Sequence, residues 1–534
     1  MPVTPSTAPS TGSSIARRTL LAASAATAAG ISALQAGPAS GSPMPVSTSA
    51  GPSYPLSDPF TLGIASGDPD YKSVVLWTRL ALDPLAADGM GGMPSRRYQV
   101  QWQVALDPQM RKVVRAGVVS AGPESAHAVH VEVGGLLPGR EYFYRFRCER
   151  HLSEVGRTVT TPLPGTYGGP LQMAFVSCSN YSGGYFTAYR RMAEEHPSLV
   201  LHLGDYIYEG GGGTAPRVHS PAKEIWTLAD YRVRHAQYRT DPDLQAAHQV
   251  APWVVVWDDH ELENNYADEI PSPAGQAGFL ERRAAAYRAY YEMMPLRRSS
   301  IPRGIDMQIY RRIQWGRLAA FHMLDTRQYR SDQACNDTTS DCPAALDPAR
   351  SITGPDQEKW LLDGLGRSEA TWDVIGQQVF FAARDFTAGP AVTYSMDAWD
   401  GYVASRQRIL DGIQRQHVTN PVVLTGDVHK HYANDLKADF RDPDSATVGV
   451  ELVTTSITSG GDGQDLPTGG QLQLDENPHM KLVNNQRGYV STRIERDSLR
   501  ADFKVLPYVS TPGAPVSTRA SFVVEAGSPG LNQV

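Results

Sequence analysis

The sequence of 534 residues has little of several features that would each assign it to a class of proteins. It contains four cysteines, too few for a small disulfide-stabilised scaffold. Its formal net charge is −7, and the lack of a basic excess argues against a dedicated nucleic-acid-binding protein. A mean hydropathy of −0.34 excludes a polytopic membrane protein, and 41% hydrophobic residues exclude a disordered chain. The composition therefore indicates a globular protein, whose length favours two to four domains.

Residues 1–36 have the layout of an export signal. Arg17 and Arg18 precede an uncharged stretch, 19–36, that is rich in alanine and too short and weakly apolar to span a bilayer well. The paired arginines indicate a twin-arginine signal, although an alanine-rich tail without a targeting role is the alternative. We therefore expect export by the twin-arginine machinery to the periplasm or the medium. Residues 37–57 are predicted to be a flexible linker, and the mature chain to lack a transmembrane segment.

Residues 58–163 are predicted to form a small all-β domain. Several short runs in this region alternate apolar and polar residues with a period of two, and turns separate them. The runs cover residues 74–80, 97–106, 112–120, 127–136 and 140–149. Their spacing is typical of a β-sandwich. The turn Leu137-Pro138-Gly139, followed by an aromatic strand, is similar to fibronectin type III modules.

Residues 170–525 are predicted to form an α/β domain. Apolar runs that end in polar clusters alternate there with helical patterns, as expected for buried strands connected by helices. The strand-like runs cover 171–180, 198–209, 253–261, 318–326, 371–381 and 420–431, and the helical patterns cover 186–196, 227–239 and 278–294. Folds of this kind collect active-site residues at the carboxyl ends of their strands.

Four of the strand-like runs end in a possible metal ligand: Cys178, Asp205, Asp259 and Asp427. One such residue alone more often caps a helix or solvates a loop. Here each has a second donor nearby. These donors are Asn180, Tyr208, His260 and His429. A thiolate, a phenolate, imidazoles and carboxylates together are the ligands of a hydrolytic metal centre, in which one carboxylate can bridge two ions.

The order of these motifs resembles one known family. CSNY, GDYIYE, WDDHELENN, DAWDGY and TGDVHKH follow one another after LGIASGDPD and LWTRL. This series is similar to the PhoD family of alkaline phosphatases and phosphodiesterases, within the metallophosphoesterase superfamily, from about residue 58 to 525. The resemblance implies a four-layer β-sandwich flanked by helices. It also implies a secreted enzyme that scavenges phosphate by hydrolysing phosphomonoesters and phosphodiesters with a metal-activated oxygen nucleophile.

The departures from the wider superfamily favour Fe³⁺ and Ca²⁺ as cofactors. A phenolate donates charge to a hard, oxidised iron, and an oxygen-rich second site suits calcium better than zinc. The expected Fe³⁺ ligands are Cys178, Asp205, Tyr208 and His429; those of Ca²⁺ are Asp205 as the bridge, Asp259 and Asp427, with Asn264 and Asn265 as candidates for further oxygen ligands. A disulfide at Cys178 is the competing interpretation, but Cys335 and Cys342 are better mutual partners across their short loop.

Three further residues are expected to act on the phosphate ester. His260 is the candidate for contacting phosphate or protonating the leaving oxygen, with a purely structural hydrogen bond as the alternative. Asn180 is expected to donate to the phosphate or to a metal-bound water. Arg384 is either a phosphate clamp or a surface arginine.

Two other functions remain open from the sequence. One is a phospholipase D-like phosphodiesterase that acts on phospholipids or cell-wall polymers. The other is a non-catalytic binding protein of the cell envelope, which would predict degraded ligand motifs. A zinc hydrolase of proteins is disfavoured because the motif HExxH is absent. The leading prediction is a monomeric enzyme with a phosphate ester as its substrate.

Overall fold

The computed structural model describes residues 56–212 and 216–534. The predicted signal peptide, residues 1–36, lies outside the described residues, as do residues 37–55 of the predicted linker. Among the helices of the described part, none is long and apolar enough to cross a membrane.

The N-terminal part forms short strands where the period-two patterns predict them. These strands are β1 (Ile64–Asp70), β2 (Ser73–Arg79), β3 (Tyr98–Ala105), β4 (Val113–Ala121), β5 (Ala128–Val133), β6 (Glu141–Cys148), β7 (His151–Leu152) and β8 (Gly156–Val159). β3, β4, β6, β7 and β8 form one antiparallel sheet, while β1, β2 and β5 pair with one another. Side chains from both sets of strands share one core, which includes Leu76, Val100 and Tyr144. This region is therefore a two-layered β arrangement with its own core.

From residue 171 to 425 strands and helices mostly alternate along the chain, as predicted, whereas the last five strands follow one another without a helix between them. The strands are β9 (Leu171–Val176), β10 (Leu199–Leu203), β11 (Pro252–Val256), β12 (Arg311–Trp315), β13 (Ala319–Met323), β14 (Thr339–Ser340), β15 (Trp372–Gly376), β16 (Tyr394–Ser395), β17 (Pro421–Thr425), β18 (His431–Lys437), β19 (Thr447–Val453), β20 (Met480–Asn484), β21 (Arg487–Ile494), β22 (Ser498–Leu506), β23 (Ser517–Glu525) and β24 (Ser528–Gln533). The helices are α1 (Thr187–Glu194), α2 (Leu228–Arg239), α3 (Pro242–Val250), α4 (Phe279–Met293), α5 (Gly354–Leu365), α6 (Val403–Arg415) and α7 (Gly470–Glu476).

Two large sheets form the body of the protein. The larger has the order β24-β23-β22-β21-β9-β10-β11-β1-β2-β5, and the smaller has the order β12-β13-β15-β17-β19-β18-β20. Their apolar strands meet in a common core, with Leu201 and Val255 from the larger sheet and Phe321 and Val374 from the smaller. Helices α5 and α6 supply side chains to a second core together with the smaller sheet, whereas α1, α3 and α4 contact the larger one. The fold is mixed α/β and rich in sheet.

The larger sheet crosses the predicted boundary between the two domains. β1 pairs in parallel with β11, so that Ser66 lies opposite Pro252 and Gly67 opposite Trp253. Strands β1, β2 and β5 therefore extend the same sheet that contains β9, β10 and β11. The sequence did not predict this pairing, because the period of a strand indicates its buried face but not its neighbour.

Candidate metal centre

The loops that carry the predicted ligands follow β9, β10, β11 and β17. β9, β10 and β11 are adjacent parallel strands, so their carboxyl ends lie at the same edge of the sheet. Cys178, Asp205, Asp427 and His429 all have left-handed backbone angles, with φ between 54° and 62°. A positive φ is uncommon outside glycine and is maintained at functional sites by the surrounding structure. Tight turns at the strand ends thus bring the side chains together.

Four of the predicted ligands converge on one point. Cys178, Asp205 and His429 each offer a ligand atom, and these three atoms lie within 4.8 Å of one another. The phenol oxygen of Tyr208 lies 2.9 Å from Oδ2 of Asp205 and 3.1 Å from Nε2 of His429. The structure therefore places a thiol, a carboxyl, an imidazole and a phenol around a common position.

Asp205 also belongs to a second group. Its carboxylate, that of Asp259 and the imidazole of His260 offer ligand atoms within 4.8 Å of one another. Oδ1 of Asp205 is buried and has no hydrogen-bond partner among the described residues. An unpartnered buried carboxylate oxygen is costly, and a cation would remove that cost. Asp205 therefore fits a bridging position between two adjacent ions.

Asp259 and Asp427 flank the guanidinium group of Arg327. Nη2 of Arg327 lies 3.5 Å from Oδ2 of Asp259 and 3.8 Å from Oδ1 of Asp427. Nη1 of the same arginine lies 2.7 Å from Oδ1 of Asp397, and its Nε lies 2.5 Å from Oδ1 of Asp258. Arg327 thus holds several carboxylates that would otherwise repel one another.

Burial makes this group of side chains hard to ionise without a cation. It raises the pKa of Cys178, Asp205 and Asp427 well above the usual range, and the neighbouring carboxylates add to the effect. The pKa of Tyr208 is likewise raised by burial and by Asp205. At Asp259 burial acts in the same direction, but Arg327 and His260 outweigh it and lower the pKa. A bound cation would favour the ionised form of every one of these ligands, so the donor set fits a metal centre.

His260 is held by a carboxylate that the sequence analysis did not single out. Its Nδ1 lies 2.7 Å from Oε2 of Glu209, and its ring centroid lies 4.1 Å from that of Tyr208. Burial lowers the pKa of His260, but Glu209, Asp259 and Asp205 raise it further and leave it well above the usual value. Glu209 therefore orients the imidazole at the edge of the candidate metal centre and favours its charged form.

Asn180 and Asn265 also lie beside the ligands. Oδ1 of Asn180 accepts hydrogen bonds from the backbone and hydroxyl of Ser182, whereas its Nδ2 makes none among the described residues. The backbone N–H of Asn265 donates to Oδ2 of Asp259 over 2.7 Å. The side chain of Asn264 is exposed, and that of Asn265 is half-buried. Of the two candidates, Asn265 is thus the one attached to a predicted ligand.

Arg384 is not a surface residue, since its exposure is 7%. Its guanidinium carbon lies 4.2 Å from the ring centroid of Phe380, and Nη1 lies 3.4 Å from the phenol oxygen of Tyr432. Within the described residues it forms no ion pair or hydrogen bond with a predicted metal ligand. A contact between Arg384 and phosphate remains a prediction.

Other residues that position the site were not foreseen. The carboxylate of Glu261 accepts backbone N–H groups at Asp205 and Asp258 over 3.0 and 2.9 Å, which joins two of the ligand loops. The hydroxyl of Ser459 lies 2.6 Å from the phenol oxygen of Tyr208. Glu261 lies within the WDDHE motif and could have been found there, whereas Ser459 lies in no recognised motif.

The cysteines form the pairing that the sequence analysis favoured. Cys335 and Cys342 form a disulfide, and Cys178 is a free, buried thiol, as is Cys148. A disulfide at Cys178 is therefore contradicted. This side chain is available as a ligand.

Comparisons with known proteins show which family the chain resembles. The family model of the PhoD-like phosphatase matches residues 173–503, and that of the PhoD-like phosphatase N-terminal domain matches residues 46–162. The chain is 51% identical to alkaline phosphatase D of Bacillus subtilis over 487 residues, which cover 90% of this chain and 83% of the relative. It is also 25% identical to purple acid phosphatase 23 of Arabidopsis thaliana, over 28% of this chain and 35% of that protein.

The same relationship holds at the level of structure. The solved structure of PhoD superposes with a TM-score of 0.87 and 50% sequence identity, and the match covers 90% of this chain and 93% of that one. The predicted phosphoester hydrolase is confirmed, and the alternative of a non-catalytic binding protein is wrong. The chain belongs to the PhoD-like phosphatase family.

Proposed function

We propose that this hydrolase is a secreted, metal-dependent phosphoesterase that uses Fe³⁺ and Ca²⁺ to hydrolyse phosphomonoesters and phosphodiesters, releasing phosphate for uptake. The observation that carries the proposal is the position of Asp205. It belongs to both groups of candidate ligands, and one of its buried oxygens lacks a partner among the described residues. A carboxylate shared by two ions is the central element of a two-metal phosphoesterase site.

The two metals would be held by different donors. Fe³⁺ would take the thiolate of Cys178, the phenolate of Tyr208, the imidazole of His429 and one oxygen of Asp205, a set that suits an oxidised iron. The Ca²⁺ ligands would be oxygens, which calcium prefers. They would come from Asp205 and Asp259, which belong to one group, from Asp427, which lies outside both groups but beside Arg327, and from the amide of Asn265.

When bound, the metals would lower the pKa of water and neutralise the phosphoryl oxygens. His260 would hold a proton at Nε2 for the leaving oxygen, because Glu209 occupies Nδ1 and favours the charged imidazole. Asn180 would donate from Nδ2 to a phosphoryl oxygen, since its Oδ1 is already engaged by Ser182. We also propose that Arg384 contacts phosphate, although its guanidinium now packs against Phe380.

The remaining proposals concern the whole protein. Export by the twin-arginine route, to the periplasm or the medium, is supported by Arg17 and Arg18 before the alanine-rich stretch. A fibronectin-III-like module at residues 58–163, ahead of a catalytic domain at 170–525, is supported by the core that the N-terminal strands share. Three of these strands, β1, β2 and β5, also extend the larger sheet. A four-layer sandwich is supported by the packing of two large sheets with helices beside them. We further propose that the enzyme is a monomer.

The test is elemental analysis of the protein purified with its native metals, together with assays on a phosphomonoester, a phosphodiester and a phospholipid. We expect iron and calcium, a colour from ferric iron bound to Tyr208 and Cys178, and loss of activity when calcium is chelated. The Cys178→Ala variant should lose iron, colour and activity but keep its circular dichroism. Cys148→Ala, at a free buried cysteine of the N-terminal strands, is the matched control and should keep all of them. A colourless, active wild-type enzyme would contradict the iron site, and preferential cleavage of the phospholipid would favour the phospholipase D-like alternative.

A further inference from the structure

A short disulfide-closed loop lies beside the candidate metal centre. The bond between Cys335 and Cys342 closes the loop, and Cys335, Asn336 and Asp337 have consecutive left-handed φ angles of 50°, 56° and 56°. Such a run is costly for residues other than glycine, so the surroundings must maintain it. β14, within the loop, pairs with β16, and β16 directly precedes the segment that carries Asp397. The disulfide and the pairing of β14 with β16 therefore both restrain the loop.

The loop contacts the site through one asparagine. Nδ2 of Asn265 donates to Oδ2 of Asp337 over 2.6 Å, and Nε2 of Gln333 donates to the backbone carbonyl of Asn265 over 2.8 Å. The backbone N–H of Asn265 in turn donates to Oδ2 of Asp259. A continuous series of hydrogen bonds therefore connects the disulfide loop with a predicted calcium ligand.

These contacts decide which end of the Asn265 amide is engaged and which is left free. An amide has one donor end and one acceptor end, and an ionised carboxylate can only accept. Asp337 therefore fixes the NH₂ group toward the loop, and Oδ1 of Asn265 makes no hydrogen bond among the described residues. The free carbonyl oxygen is the end of the amide that a hard cation binds. Its orientation is set by a residue that is not itself a candidate ligand.

We infer that Asp337 is a positioning residue that presents Oδ1 of Asn265 to the calcium site, and that the Cys335–Cys342 disulfide holds Asp337 in place. This inference rests on the proposed function. A second consequence is that the calcium affinity depends on the oxidation of the loop. Because disulfides persist outside the reducing cytoplasm, the site would reach full affinity only after export.

The first test replaces Asp337 and titrates calcium. We expect Asp337→Ala to raise the calcium concentration for half-maximal activity by about 10-fold or more, the usual effect of removing a partner of a metal ligand. Activity at saturating calcium, iron content and colour should stay near the wild-type values. In Asp337→Asn the amide oxygen can still accept from Asn265. Its calcium concentration for half-maximal activity should therefore lie between those of the wild type and Asp337→Ala. Asp341→Ala, at an exposed residue of the same loop, is the matched control. It should leave the calcium concentration for half-maximal activity, the calcium midpoint, unchanged.

The second test removes the disulfide without a reductant, which would also act on iron. The double variant Cys335→Ser/Cys342→Ser should raise the calcium midpoint in the same direction as Asp337→Ala. Hydrogen exchange of residues 259–268, measured after calcium is chelated, should be faster in both variants, and this readout does not depend on activity.

The outcomes distinguish a failure of the positioning role of Asp337 from a failure of the proposed function. An unchanged midpoint and unchanged exchange in Asp337→Ala would overturn the positioning role. An equal loss of activity at every calcium concentration would overturn it as well, because the defect would not lie in calcium binding. If the wild-type enzyme needs no calcium, the proposed function fails instead, and the exchange experiment still decides whether Asp337 orders the loop of Asn265.

Discussion

The buried Glu209 pairs with the half-buried His260, with Oε2 of the glutamate 2.7 Å from Nδ1 of the imidazole. Oε1 of the same glutamate accepts the backbone N–H of Asn264 over 2.9 Å, so its carboxylate is fixed at both oxygens. The pair fixes the ring orientation and leaves Nε2 as the atom that can serve a substrate. An imidazolium held in this way suits a general acid.

Replacement of Glu209 by glutamine should weaken this acid. The pKa of His260 should fall because the amide carries no charge, so the proton would be lost at lower pH. We expect kcat to fall about 10- to 100-fold, below the full contribution of a general acid, and the alkaline limb of the pH–rate profile to move to lower pH. Glu281→Gln, at an exposed glutamate on α4, is the control. A profile with an unmoved alkaline limb would show that His260 does not act as the acid.

Replacement of Asn180 by serine should separate its role as a helix cap from its proposed role as a donor to phosphate. Serine can still cap the short helix Tyr181–Gly183, but it lacks the amide donor. We expect the thermal stability to change little and kcat/KM to fall about 10- to 100-fold, the effect of losing one hydrogen bond to a charged group. Steady-state kinetics and thermal unfolding measure the two effects. Loss of stability without loss of kcat/KM would mean that Asn180 is only a cap.

Replacement of Arg327 by methionine should destabilise the fold. The side chain is fully buried and pairs with Asp258 and Asp397. Arg330 would still pair with Asp397, but Asp258 would lose its guanidinium partner. Breaking a buried ion pair in this way costs about 3–5 kcal/mol of the free energy of unfolding, measurable by urea denaturation. Arg367→Met, at an exposed ion pair with Asp363, should cost less than about 1 kcal/mol. Similar costs for the two variants would contradict the central role of Arg327.

The metal-free protein should lose stability as the pH rises from about 6.5 to 8.5. Burial raises the pKa of Asp258 to about 7 and that of Glu261 to about 8, so the folded state retains protons that the unfolded state has already lost. Because the folded state binds more protons in this window, the free energy of unfolding decreases with pH. A bound cation would favour the ionised form of these neighbouring carboxyl groups and reduce this slope. Thermal unfolding with and without chelator measures the difference, and equal slopes would contradict the prediction.

The sequence indicated which residues follow the strands, but not how the strands pair or which distant side chains surround these residues. Cys178, Asp205 and Asp259 could be predicted to lie together because each follows an apolar run and their strands are parallel neighbours. Asp427 also follows an apolar run, but its strand, β17, belongs to the smaller sheet. The role of Arg327 could not be found, since a charged residue after a strand indicates nothing about which distant carboxylates surround it. Glu209 was missed for a similar reason, because its partner His260 lies 51 residues away in the chain.

The parallel pairing of β1 with β11 has a practical consequence for dissecting this enzyme. A fragment that starts after residue 163 would lack β1, β2 and β5, and β11 would become an exposed edge strand of the larger sheet. Exposed, uncharged strands of this kind invite pairing between copies of a chain. This fragment should therefore precipitate when it is produced alone, and shortening the protein from its amino terminus should stop before Ile64.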